Sequence, residues 1–303
     1  MGDSAMLSAM GVPRTISSRQ NPLVAEFRAA AAHDQQRVLL DGPHLLREAL
    51  GAGLDIEVAA FAADLGDTEE LDALRQQIPL DRCVLATRPV LHAMSPARTP
   101  SGVVALARRP SASTLAAALG RPDALLVAAV DVQDPGNTGA IVRAAEAGGA
   151  TAVVTTSSGA DPFGWKALRG AMGSAFRLPL ARVSSPAELI ARARAAGLQV
   201  VAAIGRGGVP YYDVDLKGPT AVLLGAEGTG LPAAIVDAAD LRVSIPMTPH
   251  VESLNVAVTA ALLVYEARRQ RLLAAGSSVR HPPPLKPARS PKPTKREKAG
   301  GQR

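Results

Sequence analysis

The chain has 303 residues, of which 47% are hydrophobic and 3% aromatic, and it carries a formal net charge of +6. That length exceeds what one hydrophobic core usually organises, so two domains are expected, with aliphatic cores and few rings on which nucleic-acid bases could stack. The single cysteine, Cys83, excludes an internal disulfide or a cysteine metal cage, no apolar run approaches the ~18 residues of a membrane span, and MGDSAMLSAMG lacks the basic start of a secretory signal. A cytoplasmic protein is expected.

In chain order, Pro22 to Ala32 reads as a helix, with Leu23, Phe27 and Ala30 at i, i+4 and i+7. RVLLD from Arg37 to Asp41 reads as a strand, and Pro43 then stands where a first helical residue belongs, ahead of HLLREALGAG. Strands follow at Ile56 to Ala62 and Cys83 to Ala86, with a helix from Thr68 to Gln77 between them, and GVVALA from Gly102 to Ala107 ends the block. The apolar setting CVLA predicts an inert core thiol at Cys83. These elements make a small α/β domain over residues 12–110.

Ser111 to Pro122 reads as a connector with at most one helical turn, and a second α/β series occupies residues 121–275. Its strands are continuous apolar runs at Leu125 to Val130, Ala152 to Thr155, Val200 to Ile204, Ala221 to Leu224 and Leu241 to Ile245. Such runs beside helical patterns predict parallel strands buried on both faces. The last helix, Asn255 to Ala274, is expected to bury a face made by Val258, Leu262 and Tyr265. Residues 276–303 carry six prolines and, from Ser277, eight Lys or Arg against one acid, which predicts a disordered basic tail of net +7 and leaves the rest at −1. Such a tail is either a solubilising appendage or a source of non-specific attraction to RNA.

Three Gly- and Asn-marked strand-to-helix junctions stand out: DVQDPGNTGAIVRAAEAGGA from Asp131, LLGAEGTGL from Leu223, and IPMTPHVESLNVAVTAALLVYEA from Ile245. At the first, Asp134 or Asn137 can cap a helix that Pro135 pre-sets, and Ile141, Ala144, Ala145 and Gly148 form its inward stripe. Arg143 lies about 200° from Ile141 and so off that stripe, either solvated or turned to a ligand at the strand's carboxyl end. At the second, three glycines surround Glu227, a pattern that lets a backbone approach a ligand or simply makes a tight turn. At the third, Ser253 is the expected N-cap, which leaves Asn255 in the first turn, where asparagine is a poor helix former unless its amide is used. The five histidines have no metal-ligand spacing, and no nucleophile elbow or phosphate-binding P-loop occurs.

Together, in this order and spacing, the three segments resemble motifs 1, 2 and 3 of the SpoU (TrmH-like) branch of the SPOUT RNA ribose 2′-O-methyltransferases, over about residues 124–274. LLDGPHLLREAL and SGVVALA resemble that family's L30e-like substrate-binding domain. The resemblance implies an α/β fold with a C-terminal trefoil knot, S-adenosylmethionine as cofactor with no metal, and a homodimer acting on structured RNA. It implies that Asn137 and Arg143 are the catalytic pair of motif 1, Glu227 the acid of motif 2, and Ser253 and Asn255 the polar pair of motif 3. The cofactor would lie against Leu224, Gly225, Ala226, Glu227, Gly228, Gly230, Ile245, Pro246, Met247 and Leu254. Many members carry Asn before the motif 2 acid, where this chain has Ala226.

The resemblance gives Arg143 the role of base, yet a guanidinium ordinarily keeps its proton. Two roles stay open for it: a base, or a cation that stabilises the developing alkoxide and a neighbouring phosphate. An L30e-like domain favours large-subunit ribosomal RNA as substrate, with transfer RNA second. From another class, a non-catalytic RNA-binding or ribosome-assembly factor would share the fold, but it would have no use for the polar set at Asn137, Arg143, Glu227, Ser253 and Asn255.

Overall fold

A computed structural model describes residues 13–64 and 69–276. The N-terminal segment, Thr68 and the basic tail from Ser277, including the disorder expected there, lie outside the described residues.

The first block runs β1 (Arg14–Ile16), α1 (Pro22–His33), β2 (Arg37–Asp41), α2 (Pro43–Gly51), β3 (Ile56–Ala62), α3 (Glu69–Gln76), β4 (Cys83–Ala86), α4 (Arg88–Met94) and β5 (Val103–Arg108). Its five strands form one sheet in the order β1-β4-β3-β5-β2, in which β5 runs antiparallel to both neighbours. Asn21 caps α1 by accepting from the Leu23 N–H at 3.0 Å, and Pro22 and Pro43 occupy first-turn positions as their fixed φ favours. Cys83 is buried at 2% exposure, which pushes its thiol pKa up, as expected of a core cysteine.

After α5 (Leu115–Leu119), the single turn expected in the connector, come β6 (Leu125–Ala129), α6 (Pro135–Gly148), β7 (Ala152–Thr156), α7 (Trp165–Ala171), β8 (Leu180–Val183), α8 (Pro186–Ala195), β9 (Gln199–Ala203), β10 (Val209–Pro210), β11 (Thr220–Leu224), α9 (Ala233–Ala238), β12 (Leu241–Ser244) and α10 (Val256–Ala274). These seven strands pair in the order β10-β12-β9-β11-β6-β7-β8, every pair parallel. The apolar runs at β6 and β11 are buried at every position, as strands covered on both faces must be. No helix among the described residues is long and apolar enough to cross a membrane.

The sequence pattern did not anticipate β1, α4, α7, β8, α8, β10 or α9. These elements are short or polar: β8 lies at the sheet edge with Arg182 outward, and α8 alternates Arg with Ala. The expected face of α10 is corrected. Val258 and Tyr265 are about half exposed, and the buried side is Val256, Ala257, Ala260, Leu263, Val264 and Ala267.

Helix α6 is held between α7 and α10 by glycines that allow a neighbouring backbone or side chain to come close. A Cβ at Gly139 would stand 2.2 Å from the Ala167 carbonyl oxygen, and one at Gly148 would stand 2.2 Å from the Val264 Cγ1. The two blocks also share an interior, because one buried cluster contains Leu40 and Leu45 from the first and Leu168, Ile141 and Val127 from the second. Across the same boundary Arg109 donates two 2.7 Å hydrogen bonds to Asp161 and lies 4.8 Å from the Phe163 ring centre. Burial of Asp161 would raise its carboxyl pKa, but the bonds from Arg109 and the Phe163 N–H outweigh that and hold it below the ordinary range.

Replacing Gly139 with Ala should lower stability by about 1–3 kcal/mol despite the better helix propensity of Ala, because the backbones must part. The same change at Gly51, which has nothing within 4 Å of its added Cβ, should be neutral or mildly stabilising. Thermal denaturation of the two variants checks the difference in sign.

Candidate functional site

The three junctions converge at the carboxyl ends of parallel strands, where open α/β sheets collect ligands. The first leaves β6 and enters α6, whose N-cap is Asp134, with Oδ1 accepting from the Asn137 N–H at 2.8 Å. The second leaves β11 and folds back on itself: the Gly230 N–H donates to the Ala226 carbonyl at 2.9 Å. A Cβ at Gly225 would meet the Gly230 carbonyl carbon at 2.1 Å, while Gly228 and Gly230 hold φ of 84° and 67°. All three glycines are therefore required by the loop's own path, and the acid among them is carried to its tip.

At the third junction the N-cap of α10 is Asn255, not Ser253. Its Oδ1 accepts from the N–H groups of Ala257 at 2.9 Å and Val258 at 3.4 Å. Ser253 and Leu254 lie outside the helix, which starts at Val256, two residues later than a serine cap requires. That correction decides the rest of the site. With Oδ1 committed to the helix, the other end of the Asn255 amide is a donor, and it reaches the Asn137 Oδ1 at 2.9 Å. Asn137 must then present its own nitrogen to Glu227, donating to Oε1 at 2.7 Å, and the Glu227 Oε2 accepts from the Gln133 N–H at 3.3 Å. The relay joins all three junctions in one direction.

Burial would raise the Glu227 carboxyl pKa, and Asp134 pushes the same way, but the Asn137 amide, its own N–H and the Gln133 N–H outweigh them and bring it below the ordinary range. A carboxyl lowered by folding contributes stability at pH above its unfolded value, and that contribution is lost as pH falls through the folded value. The relay is therefore complete at neutral pH.

Beside the relay lies a cavity of about 600 Å³, within the range of small-molecule sites. Its walls include Leu224, Gly225, Ala226, Glu227, Gly228 and Gly230 from the second junction, and Ile245, Met247, Ser253, Leu254 and Asn255 from the third. Pro246 is not on the wall. Asn137 reaches the cavity only through its partners, and Arg143 is exposed on α6 with no hydrogen bond or ion pair among the described residues. The structure thus brings together Asn137, Glu227, Ser253 and Asn255 and leaves Arg143 apart.

Sequence reasoning missed the third wall, Ala203, Ile204 and Gly205 at the end of β9. The signal was present in AAIGRGG, a strand followed by three glycines. A second cleft of about 670 Å³, near Gln36, Arg109, Asp161 and Arg182, has its central charges paired with each other and no comparable relay. No cluster of His, Cys, Asp or Glu able to hold a metal occurs among the described residues.

A family model described as the SpoU rRNA Methylase family matches residues 124–265. Among curated proteins, the chain is 33% identical over 268 residues to an uncharacterized tRNA/rRNA methyltransferase, slr1673, of Synechocystis sp., covering 85% of this chain and 94% of that one. It is also 33% identical over 259 residues to the 23S rRNA (guanosine(2553)-2′-O)-methyltransferase RlmP of Bacillus subtilis, covering 84% and 99%. Among solved structures, it superposes on an RNA 2′-O ribose methyltransferase with a TM-score of 0.75 and 34% identity, covering 85% of this chain and 99% of the other. An AdoMet-bound rRNA methyltransferase from Sinorhizobium meliloti gives a TM-score of 0.74 at 29% identity, covering 84% and 97%.

The cap and the relay can be separated by substitution. Asn255→Ala should lower stability by about 1 kcal/mol through loss of the cap, whereas Asn255→Asp keeps an acceptor favoured at a helix N-terminus and should unfold in urea close to the wild type. Both lose the donor to Asn137, so Glu227→Gln should add less destabilisation in either background than in the wild type. Urea midpoints of the single and double variants check this.

Proposed function

The chain belongs to the SpoU rRNA methylase family, and from that membership we propose that it is an S-adenosylmethionine-dependent RNA methyltransferase that acts on a ribose 2′-hydroxyl, first of all in large-subunit ribosomal RNA. The observation that carries this reading is the one-directional relay Asn255–Asn137–Glu227 on the edge of the cavity, since a structural turn has no need of three polar side chains coupled across three junctions. Curated relatives named as 23S rRNA 2′-O-methyltransferases point to the ribosomal substrate ahead of transfer RNA.

The cavity suits the cofactor in size and in chemistry: apolar faces from Ile245, Met247, Leu254 and Leu263 lie between turns of main chain at 203–205 and 225–230 that can bind heteroatoms. Ala226, which stands where many relatives carry Asn, uses its carbonyl to close the loop on Gly230, so it would support the cofactor by shape. S-adenosylmethionine supplies an activated methyl on a sulfonium. Transfer to a 2′-oxygen then needs that oxygen in line and its developing charge stabilised. Glu227, kept ionised, fixes the Asn137 amide, whose second N–H remains to orient an incoming ribose. The Ser253 hydroxyl lies on the same wall as a further polar contact. Arg143 stands outside the cavity, so its cation serves groups that arrive from beyond this protomer, either RNA phosphate or the site of a second copy.

We further infer the finer organisation. Residues 12–110 act as the L30e-like RNA-binding unit and 121–275 as the knotted methyltransferase unit. Strand order supports the knot, because β11 and β12 flank β9 and the loop after β12 packs over its end, with Arg206 donating to the Pro249 and Val251 carbonyls. A homodimer is supported by α10, which is apolar on its uncovered side as well as its buried one. Val258 and Tyr265 are exposed beside a depression of about 330 Å³ made with Tyr211 and Leu262. A ribosomal RNA substrate would be met in the cytoplasm, which supports that location for the protein.

Mapping of 2′-O-methylation in total RNA from cells with and without the gene should show one ribosomal position lost; an unchanged ribosomal map would remove the substrate assignment, and loss in a transfer RNA would favour that alternative. In purified protein, Asn137→Ala should lower turnover about 10²-fold while cofactor affinity changes less than about threefold. Light scattering should give twice the chain mass of 31.1 kDa, and Val258→Asp combined with Tyr265→Arg should return the monomer.

A further inference from the structure

Asp131 touches neither the cavity nor the relay, yet it is one of two described non-glycine residues with positive φ, at 55°. Aspartate tolerates the left-handed region better than most residues, but the conformation is still strained and persists only where surroundings impose it. Those surroundings come from the segment after β7. The Asp131 Oδ1 accepts from the Thr156 hydroxyl at 2.7 Å and from the Ser158 hydroxyl, while its N–H donates to the Thr156 Oγ1 at 2.8 Å. Next along the chain, the Val132 carbonyl accepts from the Ala160 N–H at 2.8 Å. The Gln133 side chain closes the turn, with Nε2 donating to the Asp131 carbonyl at 3.1 Å and to the Ser158 carbonyl at 2.9 Å. These bonds tie residues 131–133 to the segment after β7, and the N–H that the turn leaves over is that of Gln133, which donates to the Glu227 Oε2 at 3.3 Å.

We propose that Asp131 is a positioning residue: its left-handed backbone, anchored through its carboxylate to Thr156 and Ser158, aims the Gln133 N–H at Glu227 and sets the outer end of the relay. The proposal rests on the methyltransferase reading for its effect on turnover, but its structural part stands without it. Loss of the anchor lets the 131–133 turn relax, the Gln133 N–H leaves Glu227, and the Asn137 amide loses its fixed partner. Cofactor binding is spared, because the walls at 203–205, 224–230 and 245–255 are built from other segments.

Three variants separate backbone from side chain. Asp131→Asn keeps both an acceptor oxygen and tolerance of the left-handed region and should retain turnover within about threefold. Asp131→Gly keeps the backbone freedom without the anchor and should lose about tenfold or more in kcat with the S-adenosylmethionine Kd, from calorimetry, within about twofold. Thr156→Val removes one anchoring hydroxyl at nearly constant volume and should fall between them. The readout independent of RNA is the titration of the Glu227 carboxyl carbon by NMR, assigned with Glu227→Gln. Asp134 pushes that carboxyl up, while the Asn137 amide, its own N–H and the Gln133 N–H lower it, so release of Gln133 should move its midpoint upward in Asp131→Gly and leave it in place in Asp131→Asn. An unmoved midpoint in Asp131→Gly and Thr156→Val, or a glycine variant as active as the wild type, overturns the proposal. If the wild type methylates no ribosomal RNA, the functional premise fails, and the NMR titration still decides the positioning role.

Discussion

The geometry of the site depends on one helix cap. Because the Asn255 Oδ1 is taken by the first N–H groups of α10, the amide cannot turn over, and each polar group beyond it has its donor and acceptor ends assigned in sequence. A hydroxyl cap would leave that direction free, since a hydroxyl rotates to suit whatever it meets. Here the last helix orients a side chain on α6 and, through it, a carboxylate on a third loop. The hydrogen bonds hold over sequence separations of 118 and 90 residues, so they exist only in the finished fold.

That finished fold in turn depends on how closely α6 can approach its neighbours. Gly139 and Gly148 lie on contacts to two different helices, so α6 is fixed in rotation as well as in depth. Asn137 sits in its first turn, where the rest of the helix acts as a rigid mount. The arrangement puts the polar residue on an element whose position is set by close contact at two glycines, with backbone at Gly139 and with the branched Val264 side chain at Gly148, which suits a group that must meet partners within tenths of an ångström.

Much of this was legible in the chain itself. The long apolar strands of the second sheet, the proline-led helices and the three junctions are strong local signals, and they hold to within a residue or two. What escaped were elements of two to ten residues whose positions are set by pairing with a remote strand or packing on a remote helix, such as β1, β8 and α7. The exposed side of α10 was misassigned because the first ten residues of that helix are apolar nearly all round, so periodicity could not say which stripe faces its own core. The cap was misassigned for a local reason: Ser253 and Asn255 are both good N-caps, and only the start of the helix at Val256 separates them. The wall at 203–205 was missed because a glycine run after a strand has many ordinary explanations.

The interior shared by the two blocks has a consequence for how such a protein is assembled over evolutionary time. Modules joined by a loose tether can be exchanged by recombination at the tether. Here the boundary carries buried aliphatic packing, the Arg109–Asp161 pair and Trp165 seated against the interior of the first sheet. A foreign recognition module grafted at the connector would leave that apolar ground bare and that acid without its cation. On the proposed role of the first block in RNA binding, new targets are therefore more accessible by changing its surface residues than by swapping the block itself.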